Sequence, residues 1–115
     1  MSTRAQVRFA TREEGVTFSE HPGVDKIHAQ FYVHNDGYPG FLGIEIANSL
    51  LDSTKVDSWE IEYLDTIHSD LNYIYYIWQS PSKTTWISIF KISWTDEKDE
   101  CIFVGKPQKL IEKYD

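Results

Sequence analysis

The chain has 115 residues, 41% of them hydrophobic and 25% charged, and these proportions exclude wholesale disorder and a collagen-like or coiled-coil array and indicate one folded domain. Eighteen acidic residues against eleven basic residues give a net charge of −7 at pH 7, which argues against a surface that coats nucleic-acid phosphates. The single cysteine excludes an intrachain disulfide framework, and no stretch approaches the roughly 20 apolar residues that span a bilayer. We therefore expect a cytoplasmic domain that contacts neither a membrane nor nucleic acid directly.

Alternation of apolar and polar residues predicts strands in the first third of the chain. Ala5, Val7 and Phe9 alternate with polar neighbours, and residues 27–34 give the most regular alternation in the sequence. A short strand is also expected over 16–19. The period of two places one face of each strand toward the core and the other toward solvent.

A turn and the main helix follow. The Asn-Asp-Gly run at 35–37 consists of residues that adopt turn and left-handed conformations at low cost, and we expect the positive φ at Gly37. Pro39 suits the first turn of a helix. Apolar residues recur at i, i+4 and i+8 from Leu42, so an amphipathic helix is predicted over about 41–52.

The second half of the chain is rich in predicted strands. Residues 58–64 fit either a helix face or a strict alternation, and we favour the strand. The run 71–79 has large apolar residues on both faces, which is typical of a central strand, and further strands are predicted over 84–94 and 101–104. Gly-Lys-Pro then opens a short terminal helix over about 107–114.

These elements predict a single α+β domain over residues 1–115, in which an antiparallel sheet of five to seven strands carries its helices on one face. The apolar face of the main helix and the inward faces of the central strands define its core. The predicted core residues are Phe31, Val33, Leu42, Ile46, Leu50, Tyr75, Ile77, Ile89 and Phe103.

The residues that commonly carry catalysis or bind metal form no recognisable set. His28 and His34 share a strand face, but six residues of strand separate them by roughly 20 Å, too far for two ligands of one ion. Cys101 follows an acidic residue and is expected to be a small buried apolar residue. We therefore expect no catalytic residue, no metal and no cofactor, although an enzyme is not excluded.

One short segment is dense in residues that could form a site. His34, Asp36 and Tyr38 bring an imidazole, a carboxylate and a phenol to a strand-to-helix junction, where helix dipole and free backbone donors favour an anion. A small-ligand binder or an enzyme using this junction is the alternative function. Turns attract the same residue types for conformational reasons alone, and we favour that structural interpretation.

Four segments of the chain resemble segments of known proteins. They are the opening Met-Ser-Thr-Arg-Ala, the His-Asn-Asp-Gly-Tyr-Pro run at 34–39, the predicted strand at 70–75 and the end at 103–114. Together they look like a set of short proteins carried by phages and mobile elements, for which no reaction is established. The resemblance implies a cytoplasmic, phage-associated protein. Small acidic proteins of this kind are often inhibitors of host defence, including anti-CRISPR proteins, and this is the function we expect.

Negative charge is concentrated in the middle of the chain. Between residues 45 and 70, seven acidic residues against one lysine give a net charge of −6 over 26 residues. Such a surface could meet the basic nucleic-acid groove of a host nuclease, or it could simply be a solvated face. The candidate binding residues of this acidic segment are Glu45, Asp52, Asp57, Glu60, Glu62, Asp65 and Asp70.

Aromatic residues are unusually frequent, with six Phe, four Trp and seven Tyr. They cannot all face one helix layer, so some are expected on the second sheet face, where exposed aromatic area usually marks an interface. Trp86 and Trp94 are the candidate contact residues on that face. They predict either a partner-binding surface or a homodimer, with the homodimer slightly less favoured.

Overall fold

The chain forms one six-stranded sheet with two α-helices packed against one of its faces. The computed structural model describes residues 3–12, 15, 17–52, 60–62, 70–79, 84–95 and 98–114. The strands are β1 Ala5–Thr11, β2 Ile27–Val33, β3 Glu60–Glu62, β4 Tyr73–Gln79, β5 Thr85–Lys91 and β6 Glu100–Gly105, in the order β3-β2-β1-β4-β5-β6. The helices are α1 Ile44–Asp52 and α2 Pro107–Tyr114, with a π-helical turn at Pro39–Gly43 and a 3-10 turn at Val24–Lys26.

The α+β class, the number of strands and both helices are as predicted. The sheet is mixed, however, because β1 pairs in parallel with β4 while the other four pairs are antiparallel. Backbone hydrogen bonds start this parallel pair, with the Asn72 N–H donating to the Arg4 carbonyl at 2.8 Å. Short turns in the sequence predict that consecutive strands pair as hairpins. No local pattern predicts the pairing of two strands that are 68 residues apart in sequence.

The core lies between the sheet and the two helices. Leu42, Ile46, Ala47 and Leu110 are fully buried there against the inward residues of β1, β4 and β5. Of the nine predicted core residues, seven are buried, and Phe31 and Leu50 are half-buried at its margin. The spacing of apolar residues therefore located the helix-covered face correctly.

The opposite sheet face is buried as well, which corrects the expectation that β1 and β2 turn one face to solvent. Gln6 and Gln30 are each only 1% exposed, beside a second apolar cluster that contains Tyr76 and Trp78. Residues 17–23, which we call the strap, cover part of this face. The predicted strand over 16–19 is wrong for residues 17–19, which form a turn closed by the Glu20 N–H and the Thr17 carbonyl at 3.2 Å; residue 16 lies outside the described residues.

The junction between β2 and the helical region differs from the expectation in one residue. Asp36, and not Gly37, takes the positive φ of 57°. Gly37 is required for a different reason, because a Cβ there would come within 2.9 Å of the Ala5 Cβ and 3.0 Å of the Thr3 carbonyl. The close approach of two backbones, rather than a left-handed turn, therefore determines the glycine.

The two other predicted strands, over 58–64 and 84–94, are both represented in the sheet. Within 58–64 only Glu60–Glu62 is described, and it is a strand at the edge of the sheet. The strand predicted over 84–94 ends at Lys91, so Trp94 leaves the sheet instead of continuing the face of Trp86. No helix in the described part of the chain is both long and apolar enough to cross a membrane.

Candidate functional site

A cleft opens at the end of the sheet where β4 begins and β5 ends. Its volume is about 270 Å³. Side chains from four separate parts of the chain line it, and we call it the Trp94 cleft. The lining residues are Thr3, Tyr38, Asn72, Tyr73, Lys91, Ile92 and Trp94.

Backbone pairing brings these distant residues together. Tyr73 and Lys91 are direct cross-strand partners in the antiparallel pair of β4 and β5. Thr3 reaches Asn72 through the parallel pair, where the neighbouring Arg4 carbonyl accepts the Asn72 N–H at 2.8 Å, and it reaches Tyr38 on the β2 side, where its own carbonyl accepts the Gly37 N–H at 2.9 Å. The cleft therefore depends on the one strand pair that is parallel.

Trp94 is held in place although most of its side chain is in solvent. Its indole N–H donates to the Leu71 carbonyl at 2.9 Å, while 65% of the residue is exposed. The fixed ring presents apolar surface and no free donor. Such an orientation suits contact with another molecule, because little conformational freedom remains to be lost on binding.

Tyr38 and Phe41 extend this apolar surface along the π-helical turn. Tyr38 is 44% exposed and Phe41 is 51% exposed, and their ring centroids are 6.3 Å apart. With Trp94 they are three of the four large hydrophobic residues that are exposed in the described chain, and Tyr38 and Trp94 line the same cleft. Clustered exposed aromatic side chains are typical of protein interfaces.

A second cluster of polar groups lies under the strap. Arg8 donates to the side-chain oxygens of Gln6 at 2.9 Å, Gln30 at 2.8 Å and Tyr76 at 2.9 Å. His21 Nδ1 lies 2.7 Å from the Tyr76 hydroxyl, and its Nε2 lies 3.2 Å from Asp99 Oδ2. Because the Tyr76 oxygen accepts a hydrogen bond from Arg8, the Tyr76 hydroxyl can donate its own hydrogen bond to His21 Nδ1.

Burial governs the proton affinities in this cluster. Desolvation lowers the pKa of His21, and the Arg8 charge adds to this, although Asp99 opposes it by favouring the protonated ring. Burial raises the pKa of Tyr76, with Arg8 opposing. At neutral pH the cluster therefore holds a neutral imidazole and a neutral phenol. Since Tyr76 is 1% exposed and its hydroxyl has two partners, the arrangement resembles a structural lock more than a reactive centre.

The structure places few of the acidic-segment residues. Asp70 is ion-paired with Arg4 at 3.1 Å and accepts the Tyr32 hydroxyl at 3.0 Å, so its charge is largely compensated. Glu45 is half-buried in the first turn of α1. Asp52 is the last residue of α1, and Glu60 and Glu62 lie on the edge strand β3, where they pair with Tyr32 and Gln30 of β2. Asp57 and Asp65 lie outside the described residues.

The junction residues do not converge. Tyr38 lines the Trp94 cleft, whereas His34 and Asp36 are exposed and do not line it. The turn between them is filled, because the Tyr75 hydroxyl donates to the Gly37 carbonyl at 2.6 Å. That arrangement is expected of a structural turn and gives no support to a catalytic site at residues 34–40.

The two candidate tryptophans are also separated. Trp86 is half-buried near the start of β5, where Phe18 of the strap stacks on it at 5.0 Å and Lys106 Nζ lies 5.8 Å from its ring. Trp94 lies beyond the other end of β5. Of these two residues, Trp94 borders the cleft described above, and Trp86 is not among its lining residues.

Sequence reasoning missed Lys91, Tyr73 and Asn72, because their meeting with Tyr38 depends on strand order. It also missed the series of contacts that runs from Arg8 through Tyr76 and His21 to Asp99, because these residues are far apart in sequence. The sequence did contain one indication of this polar cluster. Gln6 and Arg8 alternate with core residues on β1, and the high aromatic content of the chain suggests that both faces of the sheet are covered. Cys101 is half-buried, and burial raises the pKa of its thiol.

Comparison of the chain with protein-family models, with curated proteins and with solved structures gave no match. Within the described residues, no group of three or more His, Cys, Asp or Glu side chains has the geometry of a metal site.

Proposed function

We propose that the protein is a non-catalytic binding protein that blocks a host macromolecule with a basic surface. The setting we propose is the cytoplasm of a phage-infected cell, and a nucleic-acid-binding defence enzyme such as a CRISPR effector is the first partner to test. The observation that carries the proposal is the open aromatic surface at one end of the sheet, formed by Tyr38, Phe41 and Trp94.

Aromatic side chains supply contact area at a low entropic cost, and they dominate the energetics of many protein interfaces. Here they stand beside residue 70, where the acidic segment ends, because Trp94 is bonded to the Leu71 carbonyl. A partner that covers Trp94 would therefore also approach Asp70, whereas Glu60 and Glu62 lie on the opposite edge strand of the sheet and would act on it over a longer range. We infer that the aromatic residues provide affinity and that the acidic segment provides association rate and selectivity.

Charge reversal within the acidic segment tests this division. The triple variant Glu60→Lys, Glu62→Lys and Asp65→Lys should lose the partner that the wild-type protein captures from host lysate, and added salt should weaken wild-type capture. Capture is quantified by mass spectrometry against a lysate control.

A matched control reverses three exposed acids away from the Trp94 cleft, with Glu20→Lys, Asp25→Lys and Glu112→Lys. The net charge changes by the same amount, so this variant should retain the partner. Retained capture by the first variant, or equal loss by both, would show that the acidic segment has no specific role.

A further inference from the structure

The size of the Trp94 cleft limits what can enter it. Its volume of about 270 Å³ is below the range of about 300–1,000 Å³ that is common for sites of drug-sized ligands. A single amino-acid residue of another polypeptide has a suitable size.

The walls of the cleft favour an apolar body. Tyr38, Tyr73 and Trp94 surround the space with aromatic rings. The only hydrogen-bond donor of the Trp94 side chain is already bonded to the Leu71 carbonyl, so the exposed ring offers apolar contact. An occupant with an aromatic or branched aliphatic side chain would bury the most surface here.

The charge of the cleft favours one negative group. Lys91 is the only charged residue among those that line it, its side chain is exposed, and it forms no ion pair with another described residue. Tyr38 and Tyr73 each carry a hydroxyl that can donate beside it. An ammonium group with neighbouring hydroxyl donors is a suitable binding site for a carboxylate.

The remainder of the protein limits the occupant to a single negative charge. The chain carries a net charge of −7, so a polyanionic ligand would be repelled more strongly than a ligand with one negative charge. The last residue of a polypeptide combines one carboxylate with one side chain in a small volume. We propose that the Trp94 cleft binds the C-terminal residue of a polypeptide with an aromatic or branched aliphatic last side chain, with Lys91 pairing to the terminal carboxylate.

This inference rests on the proposed function and deepens it by naming the part of the partner that enters the cleft. The test is an NMR titration of the ¹⁵N-labelled full chain with the peptide Gly-Gly-Ala-Phe, either as the free acid or as the C-terminal amide. The free acid should shift the Trp94 indole and Lys91 resonances and bind about fivefold more tightly than the amide, as expected for a partly exposed ion pair. A third peptide, acetylated and amidated with an internal Glu-Phe pair, tests a side-chain carboxylate instead.

Two variants assign the interactions. Lys91→Gln should remove the preference for the free acid, whereas Lys98→Gln, a matched change of an exposed lysine outside the cleft, should preserve it. Trp94→Ala should weaken both peptides. Equal affinity for acid and amide, preference for the internal Glu-Phe peptide, or shifts confined to other residues would each overturn the proposal.

The two proposals fail separately. Partner capture that depends on the acidic segment, without peptide binding, would remove the assignment of the cleft alone. Peptide binding without any specific partner capture would remove the proposed inhibitory function alone.

Discussion

Two regions of this protein are rich in aromatic residues, but one is covered by the chain and the other is exposed to solvent. Under the strap, Phe18 stacks on Trp86 at 5.0 Å and meets Trp78 edge-on at 5.6 Å, so the chain covers its own rings. At the Trp94 cleft, Tyr38 and Trp94 remain open to solvent. The difference shows that aromatic content alone does not mark an interface, because coverage by the protein's own backbone decides which rings are available.

Hydrogen bonds distinguish the two regions in the same way. The Trp78 indole N–H donates to Ser88 Oγ at 2.8 Å, and the Ser88 hydroxyl in turn donates to the Phe18 carbonyl. These two hydrogen bonds connect the strap to the sheet. At the cleft, the Trp94 N–H and the Asn72 side-chain oxygen have partners, whereas the hydroxyls of Tyr38 and Tyr73 bond to no other described residue. The covered region is therefore joined to the sheet by side-chain hydrogen bonds, whereas the open region presents aromatic rings to solvent.

The largest expected effect comes from deleting one tryptophan in each region. Trp78 is fully buried, so Trp78→Ala should lower the free energy of unfolding by about 3–5 kcal/mol. Trp94→Ala removes a mostly exposed ring and should cost about 1 kcal/mol or less. Denaturant titration followed by circular dichroism measures both. Similar losses for the two variants would contradict the division into a covered and an open region.

A glycine pair tests the turn that carries Tyr38 to the cleft. Gly37→Ala places a Cβ within 2.9 Å of the Ala5 Cβ and should cost about 1–3 kcal/mol, because the backbone must shift. Gly40→Ala, three residues later, meets only ordinary contacts at 3.7 Å and should be nearly neutral. Thermal unfolding compares them. If both variants unfold alike, the close approach of Gly37 to β1 is not a constraint on the fold.

Removing a single hydroxyl compares the polar groups of the two regions. The Tyr76 hydroxyl bonds to Arg8 and His21, so Tyr76→Phe should cost about 1–2 kcal/mol by leaving these groups without a partner. Tyr73→Phe is the matched change at the cleft and should leave stability almost unchanged. Denaturant midpoints measure the difference. An unchanged midpoint for Tyr76→Phe would show that the Arg8 cluster adds no stability.

These contrasts explain which parts of the fold could be read from the sequence. The helix-covered face follows from the spacing of Leu42 and Ile46 and from the alternation in β2, because local periodicity reports local structure. The parallel pair of β1 and β4 could not be read, since no local pattern records which distant strand becomes a neighbour. Residues 17–19 of the strap were predicted to lie in a strand, because an apolar residue such as Phe18 indicates burial but not the backbone conformation that buries it.

The candidate site was less predictable for the same reason. Trp94 was singled out for its aromatic ring, but its exposure follows from the end of β5 at Lys91, and strand ends are poorly marked in the sequence. Lys91 itself gave no signal, because an isolated lysine at a strand end is common on any protein surface. The cleft exists only through long-range pairing.

The smallest expected effect is a pH dependence of the covered region. Burial lowers the pKa of His21 below its ordinary value of 6.5, so the unfolded chain binds a proton at a higher pH than the folded chain does. The stability that the neutral ring contributes is therefore complete above pH 6.5 and is lost as pH falls through the lowered folded value. The free energy of unfolding of the wild-type protein, measured between pH 7.5 and pH 5, should therefore decrease as the pH is lowered.

Histidine variants assign that dependence. His21→Phe keeps an aromatic ring over Phe90 but cannot be protonated, so its stability should change less over the same pH range. His28→Gln replaces an exposed histidine on β2 and should retain the wild-type dependence. A His21→Phe variant with the full wild-type pH response would assign the response to other groups.

The most direct test of the division between covered and open aromatic regions is a hydrogen-exchange footprint of the wild-type protein in complex with the partner recovered from host lysate. The account predicts that binding protects amides around Tyr38, Phe41 and residues 91–95, and leaves exchange in the strap and at residues 85–88 unchanged. Protection confined to residues 17–23 and 85–88, with none around Trp94, would contradict it.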